Sequence, residues 1–194
     1  MTESTPLERF HPKTRLEWRR WLQRNHATSS GLWLVSYKKA TGKPRIDYEE
    51  AVEEALCFGW VDSKAVKLDD ERSMQMFTPR KPKSAWSKSN KERVARLINE
   101  GHMAKAGLDA VARAKETGSW TVLDSVEALE VPPDLAKALT GDKKAKRHFD
   151  GFPPSSKKII LSWIASAKRK ETRQKRVSET VRLAAQDVRA NHPR

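Results

Sequence analysis

The sequence of 194 residues contains a single cysteine, Cys57. One cysteine excludes an internal disulfide and fits a reducing compartment, so we predict a cytoplasmic protein. The N-terminus, Met-Thr-Glu-Ser-Thr-Pro-Leu-Glu, has neither a basic nor an apolar segment, which predicts no signal peptide. The longest apolar run, residues 159–165, is interrupted by Ser162 and is too short to span a bilayer.

Negative charge is also scarce. The chain has 25 Asp and Glu against 39 Lys and Arg, a formal net charge of +14. Most of the excess lies in residues 141–194, where 15 Lys and Arg against five Asp and Glu give a net charge of +10. This asymmetry is typical of proteins that contact nucleic acid or another polyanion. A basic surface that is merely solvated is the alternative.

Hydrophobic residues make up only 37% of the chain, yet seven tryptophans argue against disorder. The length fits one domain with a C-terminal extension. We predict a flexible N-terminus at residues 1–12, a core domain at 13–120, a connection with a short helix at 121–140 and a basic helical region at 141–190.

Helical periodicity recurs along the core domain. Spacings of three and four residues put Trp18, Trp21 and Leu22 on one helix face. Asp47 is suited to cap a second helix, whose first two turns are rich in acidic residues that complement the positive helix terminus. These acidic residues are Glu49, Glu50, Glu53 and Glu54.

The strand signals are shorter. Leu32–Tyr37 is apolar on both alternating sets, which predicts a central strand covered on both faces. Residues 60–67 and 73–78 flank a polar turn and predict an antiparallel pair. We therefore predict an α+β fold: a small, mainly antiparallel sheet of about three strands packed with helices, followed by a helical C-terminal region.

Cations surround a predicted helix start near Ser87. Helix-terminal N–H groups together with cations form a site for phosphate or carboxylate, and Trp86 could stack on a base or sugar. The alternative is that Trp86 packs in the core and the cations are solvated. The candidate anion-binding residues are Arg72, Arg80, Lys83, Trp86, Ser87, Lys88 and Asn90.

The C-terminal region predicts two amphipathic helices. The first turns five residues inward, namely Ile159, Ile160, Trp163, Ile164 and Ala167. The second is strongly basic, and its cations would contact phosphates without reading sequence. The candidate polyanion contacts are Lys168, Arg169, Lys170, Arg173, Lys175 and Arg176.

Catalytic signals are weak. Cys57 near a helix C-terminus, where the helix dipole opposes a thiolate, is predicted to be a buried, inert thiol. Asp62 could act as a general base, but a structural ion pair is the commoner role. The five histidines lie far apart with no HExxH spacing, so no metal is predicted. There is no GxGxxG, and Tyr37 stands where a Walker motif needs its first glycine, so no cofactor is predicted either.

Several motifs together resemble a known family. They are Asn25-His26, Leu32-Trp33-Leu34 with Tyr37-Lys38-Lys39, Glu54-Ala-Leu-Cys-Phe-Gly-Trp-Val-Asp62, Phe77-Thr-Pro-Arg80, Lys83-Ser-Ala-Trp-Ser87 with Asn90, and Gly101-His-Met103 with Gly107 and Ala114-Lys115. This set resembles the YdeI/OmpD-associated family, also labelled bacteriocin-protection proteins. The C-terminal Trp163-Ile164, Ser166-Ala-Lys168, Glu171-Thr-Arg173 and Arg176 resemble the OmdA-type segment of such proteins. The resemblance implies a bacterial protein with one compact domain and a helical C-terminus, and it supplies no catalytic residues.

Two functional hypotheses follow. The leading one is a non-enzymatic, cytoplasmic protein of the stress or bacteriocin-protection type that binds an anionic partner, either nucleic acid or another polyanion. The alternative is a small-molecule binder or enzyme with a pocket between the Trp60–Thr78 strand pair and the Ser87 helix start. Its residues would be Cys57, Asp62, Arg72, Arg80 and Trp86. A protein–protein adaptor also stays open.

Overall fold

In the computed structural model, which describes residues 7–192, the chain divides into two packed units with the boundary between Thr121 and Val122. The first unit contains the sheet and four helices, and the second is entirely helical in its described residues. This arrangement confirms the predicted α+β class with a helical C-terminal region. Along residues 7–192, no helix combines the length and the apolar character that crossing a bilayer requires.

The first unit is built on four strands, β1 (Glu8–Phe10), β2 (Leu32–Tyr37), β3 (Trp60–Lys67) and β4 (Arg72–Pro79). The strand order is β1-β2-β4-β3, with β1 parallel to β2 and the other two pairings antiparallel. The sheet is therefore mainly antiparallel, as predicted. It has one strand more than expected, because β1 falls in the segment for which sequence analysis predicted flexibility. Residues 1–6 of that segment lie outside the described residues.

Four helices follow from local signals in the first unit: α1 (Arg15–Asn25), α2 (Tyr48–Cys57), α3 (Lys88–Asn99) and α4 (Lys105–Glu116), with a 3-10 turn at Lys39–Thr41. Thr14 caps α1 by accepting a hydrogen bond from the Glu17 N–H. Asp47 forms a capping box with Glu50 at the start of α2. Both starts agree with the predicted helices.

Aromatic packing joins the helices to one face of the sheet. Trp18 lies 5.5 Å from Phe77 between ring centroids, and Trp21 lies 5.7 Å from Trp60. These contacts confirm the predicted buried face of α1. The opposite face is less covered than predicted, since Trp33 of the central strand β2 stays partly exposed.

Two glycines set the end of α2. Gly59 has φ +73°, a left-handed conformation that favours glycine just beyond a helix end. Gly107 of α4 lies so close to the backbone at the end of α2 that a Cβ on Gly107 would be 2.3 Å from the Cys57 carbonyl oxygen. The Ala104 N–H donates to the same oxygen at 3.1 Å. The start of α4 is therefore packed directly on the end of α2.

The second unit contains α5 (Asp124–Glu127), α6 (Pro133–Thr140), α7 (Lys143–Gly151), α8 (Pro154–Ala165) and α9 (Lys170–Ala184). Proline occupies the first position of α6 and of α8, where no backbone N–H is needed. The unit has its own hydrophobic core, to which residues 122–140 contribute as well. The buried members include Val126, Leu135, Leu139, Phe149, Ile160, Leu161, Ile164 and Val177.

The buried face of α8 differs from the prediction. Ile160 and Ile164 are buried as expected, and Leu161 joins them. Ile159 and Trp163, which were predicted to point inward, are partly exposed. The predicted face was too wide, because α8 packs in this unit along a stripe centred near Ile160 and Ile164.

Candidate functional site

Four exposed cations lie just before α9 and in its first two turns. We call them the exposed basic segment, and they are Lys168, Arg169, Lys170 and Lys175. No carboxylate forms an ion pair with these four side chains within residues 7–192. No side chain caps the start of α9 either, so its first N–H groups add positive potential to the cations. The start of α9 therefore carries a concentration of exposed positive charge.

The other two predicted polyanion contacts have internal partners. Arg173 binds both oxygens of Asp134, with Nε at 2.6 Å and Nη2 at 2.9 Å, and this hydrogen-bonded cation lowers the pKa of Asp134. Arg176 donates to the Trp163 carbonyl and, at 2.8 Å, to the Ser166 hydroxyl. Both arginines therefore tie α9 to its neighbours, a role that sequence analysis did not predict.

Helix α7 adds cations that sequence analysis did not include. Asp142 caps this helix, accepting from the N–H groups of Lys144 at 3.0 Å and Ala145 at 2.9 Å. Helix α7 packs against α9, and His148 Nδ1 donates to the Ala184 carbonyl at 2.8 Å. The exposed cations of α7 are Lys143, Lys144, Lys146 and Arg147. The signal was present in the sequence as an Asp followed by a run of lysines and arginine.

The predicted anion site near Ser87 is only partly assembled. Ser87 does cap α3, accepting from the Asn90 N–H at 3.3 Å. Arg80 lies over the Trp86 ring at 3.8 Å and donates to the Ala85 carbonyl at 2.9 Å. The Arg80 Nε is buried and has no hydrogen-bond partner in the described chain. Desolvation by burial lowers the pKa of Arg80 to about 10.

Trp86 corrects the prediction of base stacking at this site. Only 1% of its surface is exposed, and its ring packs between Arg80 and Trp120, whose centroid is 5.0 Å away. A ligand base cannot reach such a ring. The alternative weighed for Trp86, a core anchor for the start of α3, is the role that the packing supports.

The remaining candidates near Ser87 do not converge. Arg72 binds Asp69 through Nε at 2.8 Å in the β3–β4 turn. It lies at the opposite end of β4 from Arg80, roughly 25 Å away at the usual rise per strand residue. Lys83 and Lys88 are exposed, and the Asn90 side-chain oxygen accepts from Arg93 at 2.9 Å. Arg72 is therefore not part of a site with Arg80 at the start of α3.

The residues predicted for the alternative small-molecule site do not come together either. Cys57 is fully buried, and desolvation raises the pKa of its thiol to about 11. Asp62 accepts a hydrogen bond from the Tyr48 hydroxyl at 2.8 Å, and burial together with this bond raises the pKa of Tyr48 to about 12. Cys57 and Trp86 are packed in the core, and Arg72 is the first residue of β4, at the end of the strand far from Arg80. These five residues therefore do not come together around one pocket.

A buried ion-pair network escaped sequence analysis. Glu54 is 2% exposed and binds Arg15 Nε at 2.6 Å and Arg19 Nη1 at 2.7 Å. Glu53 pairs with Arg15 at 3.0 Å and with Arg96. The network links α1, α2 and α3, so these acidic residues serve the packing of helices. Among residues 7–192, no three His, Cys, Asp or Glu side chains come together as a metal site would require.

Comparison with known families divides the chain. Residues 10–110 match the family model described as Domain of unknown function (DUF8412). This match covers just over half of the 194 residues, and the chain belongs to that family. Residues 128–187 match the model described as Bacteriocin-protection, YdeI or OmpD-Associated. The predicted family resemblance is thus confirmed for the C-terminal part, while the N-terminal motifs fall in the other model. No curated protein and no solved structure matches the chain significantly.

Proposed function

We propose that this protein is not an enzyme and binds polyanions, and that the polyanion it binds is nucleic acid. The observation that carries the proposal is the exposed basic segment Lys168, Arg169, Lys170 and Lys175, in which each cation lacks a carboxylate partner within residues 7–192. When cations that have no acidic neighbour contact phosphates, they displace the counterions condensed on the nucleic acid, and this release drives binding.

The chemistry of the exposed basic segment supports a contact without sequence readout. The cations of the exposed basic segment lie at and near the start of α9, and phosphate contacts position a nucleic acid without reading its bases. The uncapped N–H groups of α9 favour an anion at the same end.

The cellular setting is part of the proposal. The description of the family matched by residues 128–187 names bacteriocin protection, which supports a protective role in a bacterium under stress. A lone, buried Cys57 fits the reducing cytoplasm.

A salt titration tests the function. Binding of a labelled random-sequence DNA duplex is measured by fluorescence anisotropy at increasing salt, for the wild type and two variants of equal charge. The test variant carries Lys168→Gln, Arg169→Gln, Lys170→Gln and Lys175→Gln. The control carries the exposed first-unit substitutions Lys64→Gln, Lys81→Gln, Lys105→Gln and Arg113→Gln.

The expected result is a selective loss in the test variant. Its plot of log K against log salt should be shallower by roughly four, since each lost phosphate contact removes about 0.9 from the slope. The control variant should keep a slope close to that of the wild type. Absence of wild-type binding at low salt, or equal losses in the two variants, would sink the proposal.

A further inference from the structure

Trp163 is the one tryptophan of the second unit, and it borders two surface grooves. The first groove has a volume of about 640 Å³ and runs along α9, where Lys175 and Arg182 line it. The second has a volume of about 480 Å³ and lies beside Ile159 and Ser162 of α8. A partly exposed aromatic ring between two grooves offers a flat surface to a ligand.

Arg176 holds this ring in place. Its guanidinium carbon lies 5.2 Å from the ring centroid, and the same group donates to the Trp163 carbonyl and to the Ser166 hydroxyl at 2.8 Å. A ring that is already fixed loses little freedom when a ligand stacks on it. The contact between the Arg176 guanidinium and the Trp163 ring is a cation–π interaction, which further stabilises the position of the ring.

The charge around Trp163 favours an anionic ligand. Of the charged residues in the α9 groove, Glu179 is neutralised by Arg182 at 2.7 Å. Lys175 and Arg176 then outnumber the remaining acidic residue, Glu171. The exposed basic segment leads into the same groove, because Lys175 belongs to both. Phosphates bound by that segment would bring their bases toward the ring.

We propose that Trp163 stacks on an unpaired base of single-stranded nucleic acid whose phosphates follow the exposed basic segment. This inference rests on the proposed function and narrows its partner. Bases in a duplex are stacked on one another and cannot lie on a protein ring, whereas unpaired bases can. Trp163 thus gives the protein a preference for single strands that the cations alone would not produce.

The experiment compares one labelled single-stranded oligonucleotide of mixed sequence with its duplex at a fixed salt concentration. The variants are Trp163→Leu, Trp163→Phe and the control Trp33→Leu, which replaces a partly exposed tryptophan of the first unit. Thermal unfolding followed by circular dichroism checks that each variant folds. Fluorescence anisotropy reports the affinities.

We expect Trp163→Leu to lose about tenfold in affinity for the single strand, the usual cost of one stacked base, with little change for the duplex. Trp163→Phe should keep most of the affinity, since it retains an aromatic ring, and Trp33→Leu should behave as the wild type. Quenching of tryptophan fluorescence by the oligonucleotide should decrease in Trp163→Phe.

Other outcomes separate the two proposals. If the wild type binds neither probe, the proposed function and this inference both fail. If both probes bind and Trp163→Leu matches the wild type on each, polyanion binding stands and the stacking is overturned. A parallel loss for single strand and duplex, in a variant that folds, would also overturn it, because Trp163 would then act only through the packing of α9.

Discussion

Replacing Glu54 with Gln tests whether a buried carboxylate joins α1 to α2. Glu54 is 2% exposed and accepts hydrogen bonds from Arg15 Nε at 2.6 Å and Arg19 Nη1 at 2.7 Å. The substitution Glu54→Gln preserves the size of the side chain and one acceptor oxygen. It removes the negative charge that both arginines share.

The magnitude follows from the two bonds. A hydrogen bond to a charged group contributes roughly 1.5–3 kcal/mol, and a neutral one about 1 kcal/mol. Losing the charge should therefore cost roughly 0.5–2 kcal/mol at each arginine. Removing the cost of burying a carboxylate offsets part of this loss. Arg15 and Arg19 are each about a third exposed at the side chain, at 34% and 28%, so water also compensates in part. We expect the free energy of unfolding to fall by about 2 kcal/mol.

Urea unfolding followed by tryptophan fluorescence measures this change. Six of the seven tryptophans precede residue 122, so the signal reports the first unit. The control is Glu71→Gln, which removes an ion pair with Lys43 at 2.6 Å in which the Glu71 side chain is 56% exposed. Its loss of stability should be clearly smaller than that of Glu54→Gln, because exposed ion pairs are screened by water and contribute little. Equal losses in the two variants would refute the structural role of Glu54.

Two further predictions concern packing and pH. Gly107→Ala should destabilise the first unit by about 3 kcal/mol, because the new Cβ would meet the Cys57 carbonyl oxygen at 2.3 Å. Gly151→Ala, where nothing lies within 4 Å, should be neutral or stabilising, and equal urea midpoint shifts would contradict the packing. Arg173 lowers the pKa of Asp134, so their pair stabilises the second unit above the unfolded-state pKa, and the stabilisation is lost as pH falls through the lower folded-state pKa. Arg173→Gln should therefore cost up to about 1 kcal/mol at neutral pH and nothing in acid, measured by far-UV circular dichroism; a deficit that persists in acid would contradict this.

Local signals in the amino-acid sequence predicted the structure best. The spacing of Trp18, Trp21 and Leu22 predicted the buried face of α1, and the helix start predicted near Ser87 is the start of α3. Strand β1 was missed because three residues carry too little pattern, and Glu8–Phe10 become a strand only by pairing with β2.

The side chains whose roles were predicted wrongly have one feature in common. Glu53 and Glu54 were predicted to complement a helix dipole, while the fold buries them against arginines of α1 and α3. In the same way, Trp86 was a candidate for stacking and is packed in the core, whereas Trp163 was predicted inward and is partly exposed. Neighbours distant along the chain decided each case.

The amino-acid sequence by itself determined the charge asymmetry, the lone cysteine and the helical periodicity, because these are properties of composition and of residues close along the chain. Only the tertiary structure decided which cations are neutralised and which aromatic rings can meet a ligand. Arg173 and Lys175 are two residues apart, yet one is bound to Asp134 and the other is exposed. Burial and ion pairing depend on distances in space, and those distances are created by the packing of α6, α8 and α9.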